Sequence, residues 1–146
     1  MSLKRLIICG GTGTVGKDLG VYLVKKKYDL HVLTRDPESC QGFLPYPCQV
    51  HKWTGKENLP KYLFSDPYGV INLAGESLST GRWSQDKKEK IVKSRVDSIA
   101  NLRSLLEAQE RRPDVWIQAS ATGIYGDRGD DLLTEESHRG EDWLCH

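Results

Sequence analysis

Four glycines fall within seven residues directly behind an apolar run near the start of the sequence. Gly10, Gly13 and Gly16 form a G-x-x-G-x-x-G pattern, with Gly11 as the fourth glycine, between a strand-like and a helix-like segment. In such a turn the first glycine permits the tight bend, the middle one admits a pyrophosphate, and the last allows close helix packing. Free N–H groups and the positive end of the helix dipole then face the anion.

This spacing predicts a dinucleotide site rather than the phosphate loop of an NTPase. The NTPase loop requires Gly-Lys-Ser/Thr at the helix start, whereas Gly16-Lys17 is followed by Asp18. The alternative is a glycine-rich turn without a ligand, although ordinary strand-to-helix loops are short and do not need three glycines at this spacing. The predicted cofactor contacts in the turn are Gly10, Gly11, Thr12, Gly13, Thr14, Val15 and Gly16.

The residues after the second predicted strand bear on which dinucleotide is bound. Thr34 stands where an NAD-selective site carries a carboxylate for the ribose 2′-hydroxyl, and Arg35 follows it. A guanidinium at this place can pair with a 2′-phosphate in a bidentate manner, which favours NADP. Asp36 could still reach a ribose hydroxyl, and Arg35 could be a solvated loop residue, so NAD remains an alternative.

Strand-like and helix-like segments alternate along the chain, which predicts a doubly wound α/β fold with helices on both faces of a parallel sheet. The predicted strands are residues 3–9, 29–34, 48–53, 68–73 and 114–120, most simply in the order 3-2-1-4-5. Residues 38–47 and 121–140 are expected to be loops, and residues 57–64 a short helix or irregular crossover.

Two longer helices complete this prediction. The first should start within the glycine turn and pack through an apolar stripe, and the second should run from a Ser84 cap to about residue 110. The stripe of the first helix is Val15, Leu19, Tyr22 and Leu23. The stripe of the second is Ile91, Arg95 or Val96, Ile99, Leu102 and Leu106.

Composition and charge disfavour several other classes of protein. The 146 residues include 21 basic and 20 acidic side chains, so net charge creates no field that favours nucleic acid. The apolar runs are far shorter than the roughly 20 residues of a membrane span. Because residues 1–5 also lack the zones of a secretory signal, we expect a cytoplasmic protein without nucleic-acid or membrane partners.

The four cysteines are scattered and include no C-x-x-C pair, which argues against a zinc site or a thioredoxin-type redox centre. We therefore predict no metal site. A disulfide between Cys40 and Cys48 is geometrically allowed, but buried or idle thiols are expected in a reducing compartment.

Further motifs, in order, resemble the extended branch of the short-chain dehydrogenase/reductase superfamily, and within it an atypical subgroup, a family of nucleoside-diphosphate-sugar epimerases. Besides the glycine turn, the resemblance rests on Asn72-Leu73-Ala74-Gly75-Glu76, Arg82-Trp83, Ser94-Arg95-Val96, Ser120-Ala121-Thr122-Gly123-Ile124-Tyr125-Gly126-Asp127-Arg128-Gly129, Thr134-Glu135-Glu136-Ser137 and Gly140-Glu141-Asp142-Trp143-Leu144. It covers nearly the whole chain. It implies that residues 1–146 form an NAD(P)-binding Rossmann domain that ends before the later strands and the substrate domain of a longer protein.

The resemblance also implies roles for individual residues and a sugar-nucleotide substrate. Asn72, Leu73, Ala74 and Gly75 would lie along the adenine-ribose side of the cofactor. Ser120 or Thr122 would hydrogen-bond a substrate oxygen as part of the catalytic site. The choice between them stays open because this motif carries one residue more than the usual Ser-Ala-Thr-Val-Tyr-Gly run, and an ordinary strand-to-loop turn is the alternative.

The superfamily's chemistry uses a tyrosine as general acid/base with a lysine four residues later. Tyr22 and Lys26 match this spacing, but they lie on the first predicted helix, so we interpret the match as accidental. The expected pair would follow the last residue of this chain, and Tyr125 has Gly129 four residues on. Three functions stay open: an oxidoreductase or epimerase, a cofactor-binding regulatory protein, and a self-associating module without cofactor. An incomplete doubly wound sheet would expose apolar surface, so a homodimer is a further expectation.

Overall fold

The computed structural model describes residues 3–40, 42–55, 59–79, 81–143 and 145. The strands are β1 (Lys4–Cys9), β2 (Tyr28–Thr34), β3 (Gln49–Lys52), β4 (Gly69–Asn72) and β5 (Val115–Gln118). All the pairings are parallel, in the order β3-β2-β1-β4-β5. The predicted doubly wound, Rossmann-like fold and its strand order are thus confirmed.

The helices are α1 (Thr14–Lys25), α2 (Lys61–Ser65) and α3 (Gln85–Glu107). Ser84 caps α3 as predicted, since its Oγ accepts a hydrogen bond from the Lys87 N–H at 3.3 Å. Two stretches predicted as loops contain short 3-10 turns, at Glu38–Cys40 and Thr122–Tyr125. No helix within the described ranges combines the length and apolarity that a membrane span needs.

The central strands are apolar because both faces of the sheet are covered. Ile7 and Ile8 are neighbours in β1, point to opposite faces and are both 0% exposed. Ile7 belongs to a cluster with Leu102 of α3, and Ile8 belongs to a second cluster with Leu23 of α1. These two clusters hold the carboxyl ends of β1, β2 and β4 in fixed positions.

The buried face of α1 differs from the predicted stripe. Val15 and Tyr22 are 67% and 56% exposed, whereas Gly16, Gly20 and Leu23 are buried. The stripe was wrong at Val15 and Tyr22 because the buried face of the helix runs through Gly16, Gly20 and Leu23, which leaves these two side chains on the outside.

Gly16 and Gly20 lie so close to neighbouring atoms that a side chain would clash with them. A Cβ on Gly16 would lie 2.5 Å from the carbonyl oxygen of Gly10, and a Cβ on Gly20 would lie 2.1 Å from the ring of Tyr46. The third glycine of the turn therefore lets α1 pack directly on the turn itself.

The stripe of α3 is also only partly as predicted. Its buried apolar residues are Ile91, Leu102 and Leu106. Val96 and Ile99 are 58% and 37% exposed, because the intervening turns face the loop after β4 with hydroxyls instead. Ser94 Oγ accepts a hydrogen bond from the Glu76 N–H at 2.9 Å, and Ser98 Oγ accepts one from Asn72 at 3.1 Å.

The four cysteines are free thiols, and Cys40 and Cys48 are not joined. Cys9, Cys40 and Cys145 are buried. Burial raises the pKa of the Cys9 thiol to about 12, so this thiol is protonated and unreactive at neutral pH.

Candidate functional site

A cleft of about 390 Å³ opens at the carboxyl edge of the sheet. Cys9 at the end of β1, Thr34 at the end of β2 and Leu73 after β4 contribute to its wall. Since β1 lies between β2 and β4, the chain order reverses here, and open α/β sheets bind ligands at such a point. The predicted cofactor-binding residues that line the cleft are Gly10, Thr12, Gly13, Thr34, Arg35, Leu73, Ala74 and Gly75.

The other predicted residues of the glycine turn lie beside this cleft rather than in its wall. Gly11 and Gly16 are buried. Thr14 and Val15 are exposed at the start of α1. The cofactor contacts of these four residues, like those of the residues that line the cleft, stay predictions.

The first glycine makes the turn tight and seats it against the loop that follows β4. Gly10 has a φ of +80°, in the left-handed region that favours glycine. A Cβ at this position would lie 2.8 Å from the Leu73 carbonyl carbon and 2.9 Å from the Ala74 nitrogen. The turn closes with a hydrogen bond of 3.1 Å from the Gly13 N–H to the Gly10 carbonyl.

The start of α1 fits the phosphates of a dinucleotide. Gly13 is the N-cap residue, so no side chain caps the helix, and its first turn contains no acidic residue. A Cβ on Gly13 would meet the Gly10 carbonyl oxygen at 3.4 Å, an ordinary contact, and the residue is exposed. The first N–H groups of the helix and the positive end of its dipole thus lie beside the cleft. Because Gly13 has no side chain, nothing at this residue covers them.

The segment after β2 presents a cation to the cleft. Arg35 is exposed and lines it, whereas Asp36 does not. The Asp36 carboxylate accepts a hydrogen bond from the Ser39 N–H at 3.3 Å, and its carbonyl accepts one from the Ser39 hydroxyl at 3.1 Å. Asp36 therefore organises this segment, and the charge that faces the cleft from it is positive.

Asn72 shapes the cleft from behind. Its side chain is 0% exposed, and its amide donates to Ser98 Oγ at 3.1 Å and to Gln118 Oε1 at 2.9 Å. Its Oδ1 accepts the Ala74 N–H at 3.1 Å. These bonds join β4 to α3 and β5 and set the path of residues 73–75, while a direct contact of Asn72 with a cofactor stays a prediction.

Glu76 is a carboxylate in the wall of the cleft that the sequence did not assign. Lys87 Nζ lies 2.7 Å from its Oε1. The hydrogen bond and positive charge of Lys87, with a smaller contribution from Arg35, hold the pKa of Glu76 below its ordinary value. Arg95 donates to the Glu76 carbonyl at 3.2 Å, so the residue is anchored at both its side chain and its backbone.

Nine other lining residues in the described part of the chain have no role predicted from the sequence. They are Cys9, Leu33, Trp53, Thr54, Gly55, Ser94, Asp97, Ser98 and Asn101. The last four carried a readable signal, because small polar residues at helical spacing form one stripe of α3. Trp53 to Gly55 follow β3, whose carboxyl end meets the same edge of the sheet.

Ser120 and Thr122 lie beyond the carboxyl end of β5 and are exposed. Thr122 begins the 3-10 turn Thr122–Tyr125. The two hydroxyls share the carboxyl edge of the sheet with the cleft but do not line it, and their predicted catalytic role is a proposal. Tyr22 and Lys26 stay on the outside of α1, where Lys26 Nζ lies 5.4 Å from the Tyr22 ring centroid.

Comparison with known proteins gives a family and several relatives. The family model described as the NAD dependent epimerase/dehydratase family matches residues 6–142. The chain is 32% identical over 144 residues to the epimerase family protein YfhF of Bacillus subtilis, covering 97% of this chain and 46% of that protein. It is 30% identical to the chloroplastic epimerase family protein SDR39U1 homolog of Arabidopsis thaliana, covering 99% and 42%. The chain thus spans less than half the length of these relatives.

Solved structures share the fold at lower identity. The human epimerase family protein SDR39U1, crystallised with NADPH, has a TM-score of 0.74 and 20% identity over 94% of this chain and 43% of its own. UDP-glucuronic acid 4-epimerase from Bacillus cereus, in complex with UDP-glucuronic acid and NAD, has a TM-score of 0.75 and 16% identity over 92% and 45%. Because the family match extends over nearly all of it, this chain belongs to the NAD dependent epimerase/dehydratase family.

Proposed function

We propose that this chain is the dinucleotide-binding portion of an epimerase-like oxidoreductase and that it binds NADP in preference to NAD. The proposal rests on one observation: two features that can bind anions line the same cleft. Gly13 at the start of α1 and the Arg35 guanidinium both line it. The first suits a pyrophosphate, and the second suits the 2′-phosphate that distinguishes NADP.

Each part of the cofactor has a place in this proposal. The pyrophosphate lies against the turn of residues 10–16, the 2′-phosphate lies at Arg35, and the adenine-ribose side runs along residues 73–75. The NADPH in the crystals of human SDR39U1 supports the preference for NADP. The NAD in the Bacillus cereus epimerase keeps NAD as the alternative.

We propose a sugar nucleotide as the substrate, supported by the UDP-glucuronic acid in the complex of the Bacillus cereus enzyme. When bound, a nicotinamide cofactor supplies a hydride acceptor for a sugar carbon and can return the hydride to the other face. This chain would bind and orient the dinucleotide, and the Ser120 or Thr122 hydroxyl would hydrogen-bond a substrate oxygen. The tyrosine and lysine of the usual acid/base pair are not supplied by Tyr22 and Lys26.

Titration of the chain with NADPH and with NADH, followed by nicotinamide fluorescence and by melting temperature, tests the proposal. We expect saturable binding with an affinity for NADPH about tenfold or more above that for NADH. Both ligands should raise the melting temperature when they are in excess of their dissociation constants. If neither ligand raises it, the chain is a module without cofactor and the proposal is overturned.

We further propose that the chain forms a homodimer through the exposed side of α3. Val92, Val96 and Trp143 line a second, open groove of about 600 Å³, together with charged residues such as Lys88 and Glu89. The Trp143 ring meets that of Trp83 edge-on at 5.4 Å between centroids. Sedimentation equilibrium should give a dimer that Val96→Asp dissociates, and a monomer at all concentrations would contradict this.

We also propose that the protein is cytoplasmic. The free thiols of its four cysteines fit a reducing compartment. Cell fractionation with an antibody to the chain should recover it with cytoplasmic markers, and recovery with an oxidising compartment would contradict the assignment.

A further inference from the structure

Tyr46 connects the two loops on which the proposed cofactor site depends. It lies between β2 and β3, eleven residues after Arg35. Its hydroxyl nevertheless donates a hydrogen bond of 3.0 Å to the carbonyl oxygen of Gly11. This bond joins the segment that carries Arg35 to the glycine turn.

The ring of Tyr46 is held firmly enough to aim this hydroxyl. The residue is 6% exposed and packs in the apolar cluster between α1 and the sheet. The ring occupies the space that a side chain at Gly20 would need, 2.1 Å from the position of its Cβ. Burial, with the neighbouring Cys48 and Cys40, raises the pKa of Tyr46 to about 12, so the hydroxyl remains a donor at neutral pH.

The bond fixes the orientation of one peptide group at the cleft. The Gly11 carbonyl and the Thr12 N–H belong to the same planar group, and in a trans peptide they point in opposite directions. Because Tyr46 holds the carbonyl on the buried side, the N–H of Thr12 is turned away from the protein interior. Thr12 itself lines the cleft.

Two adjacent glycines would not hold this orientation by themselves. Gly10 and Gly11 have no Cβ, so their backbone dihedrals are less restricted than those of other residues. A hydrogen bond from a packed side chain removes this freedom before a ligand arrives, and pre-organisation of this kind improves affinity.

We propose that Tyr46 is a positioning residue for the dinucleotide: it fixes the Gly11–Thr12 peptide so that the Thr12 N–H is presented to the pyrophosphate. It also ties this peptide to the segment that carries Arg35. The inference rests on the proposed function and adds a residue outside the wall of the cleft to the cofactor site.

The variant Tyr46→Phe tests the proposal because it keeps the ring against Gly20 and removes the hydroxyl alone. Two ligands separate the two ends of the cleft: NADPH carries both the pyrophosphate and the 2′-phosphate, whereas adenosine 2′-monophosphate carries the 2′-phosphate alone. We expect Tyr46→Phe to raise the dissociation constant for NADPH about three- to tenfold, the cost of one hydrogen bond. The constant for adenosine 2′-monophosphate should change by less than about twofold on the same scale.

Tyr28→Phe is the matched control. It removes a hydroxyl from the same apolar cluster but at the amino end of β2, away from the cleft. We expect both ligands to bind this variant as they bind the unaltered chain.

The possible results distinguish this inference from the proposed function. If the unaltered chain does not bind NADPH, the proposed function fails. If it binds and Tyr46→Phe binds NADPH equally well, or loses both ligands equally, the positioning role is overturned. Should Tyr46→Phe fail to fold, hydrogen exchange in the unaltered chain tests the role instead: NADPH should protect the Thr12 N–H and adenosine 2′-monophosphate should not, and an absence of protection by NADPH overturns the role as well.

Discussion

Lys87 Nζ lies 2.7 Å from Glu76 Oε1 and neutralises a carboxylate in the wall of the cleft. Lys87 belongs to the first turn of α3, and Glu76 belongs to the loop after β4, so the ion pair also joins these two elements. The anchored cation matters for the proposed function, because an uncompensated carboxylate here would repel the phosphates of a dinucleotide.

The ion pair between Lys87 and Glu76 should make the stability of the chain depend on pH. The pKa of Glu76 is lowered in the folded chain, so its contribution is complete above the ordinary value of 4.5 and is lost as the pH falls through the lowered pKa. Glu76→Gln removes the titrating group, and its free energy of unfolding should fall less between pH 7 and about pH 3 than that of the unaltered chain. Urea unfolding at the two pH values measures the difference. The control is Glu107→Gln, which removes an exposed ion pair with Arg103 on α3, the helix that carries Lys87. An equal fall in the free energy of unfolding in the unaltered chain and both variants would refute the prediction.

The third glycine of the turn should be needed for folding, and the middle one should not. A Cβ on Gly16 would lie 2.5 Å from the Gly10 oxygen and 2.6 Å from the Gly11 Cα, and neither is a flexible side chain. We expect Gly16→Ala to lower the free energy of unfolding by about 2 kcal/mol or more. Gly13→Ala, with its one contact at 3.4 Å, should lower it by less than about 1 kcal/mol. Similar losses in the two variants, measured by urea unfolding, would argue against the packing described for α1.

Gly13→Val should abolish dinucleotide binding while the chain still folds. The valine side chain would stand where the pyrophosphate approaches the start of α1, although the φ of Gly13, −75°, is one that valine adopts readily. Fluorescence titration should show a loss of NADPH affinity of at least about a hundredfold, with an unchanged circular dichroism spectrum. A folded variant that retains its affinity would remove the pyrophosphate from this turn.

Arg35→Ala should weaken the binding of NADPH much more than that of NADH. A charge-assisted pair with the 2′-phosphate predicts a loss of about tenfold or more for NADPH, and little change for NADH. Arg112→Ala is a suitable control, because Arg112 is exposed in the loop before β5, at the amino edge of the sheet. Equal losses for both cofactors would remove the basis for the preference for NADP.

The sheet could be predicted from the sequence because local patterns determine it. Alternating apolar strands and a glycine turn specify parallel pairing, and the chain order then brings Gly10, Arg35 and Gly75 to one edge. The stripe Ser94, Asp97, Ser98 and Asn101 was equally local and could have been assigned to the same edge.

The remaining features depend on contacts between distant residues. Tyr46 lies in a loop without periodicity, and its bond to Gly11 becomes visible when α1 and the sheet are in place. The packing of Tyr46 also explains why the predicted apolar stripe of α1 was partly wrong. Its ring packs against Gly20, at a position where an apolar side chain is usual. Glu76 was missed because its partner, Lys87, belongs to a helix whose position follows from the tertiary fold.

The central claim is that a dinucleotide binds with its phosphates at the start of α1, and amide chemical shifts of the labelled chain test it most directly. On titration with NADPH, we expect saturable shifts at Gly11, Thr12, Gly13 and Thr14 together with Arg35. The residues at the amino edge of the sheet, such as Tyr28 and Tyr68, should not shift. Saturable shifts confined to other parts of the chain, or no shifts with excess NADPH and NADH, would contradict the claim.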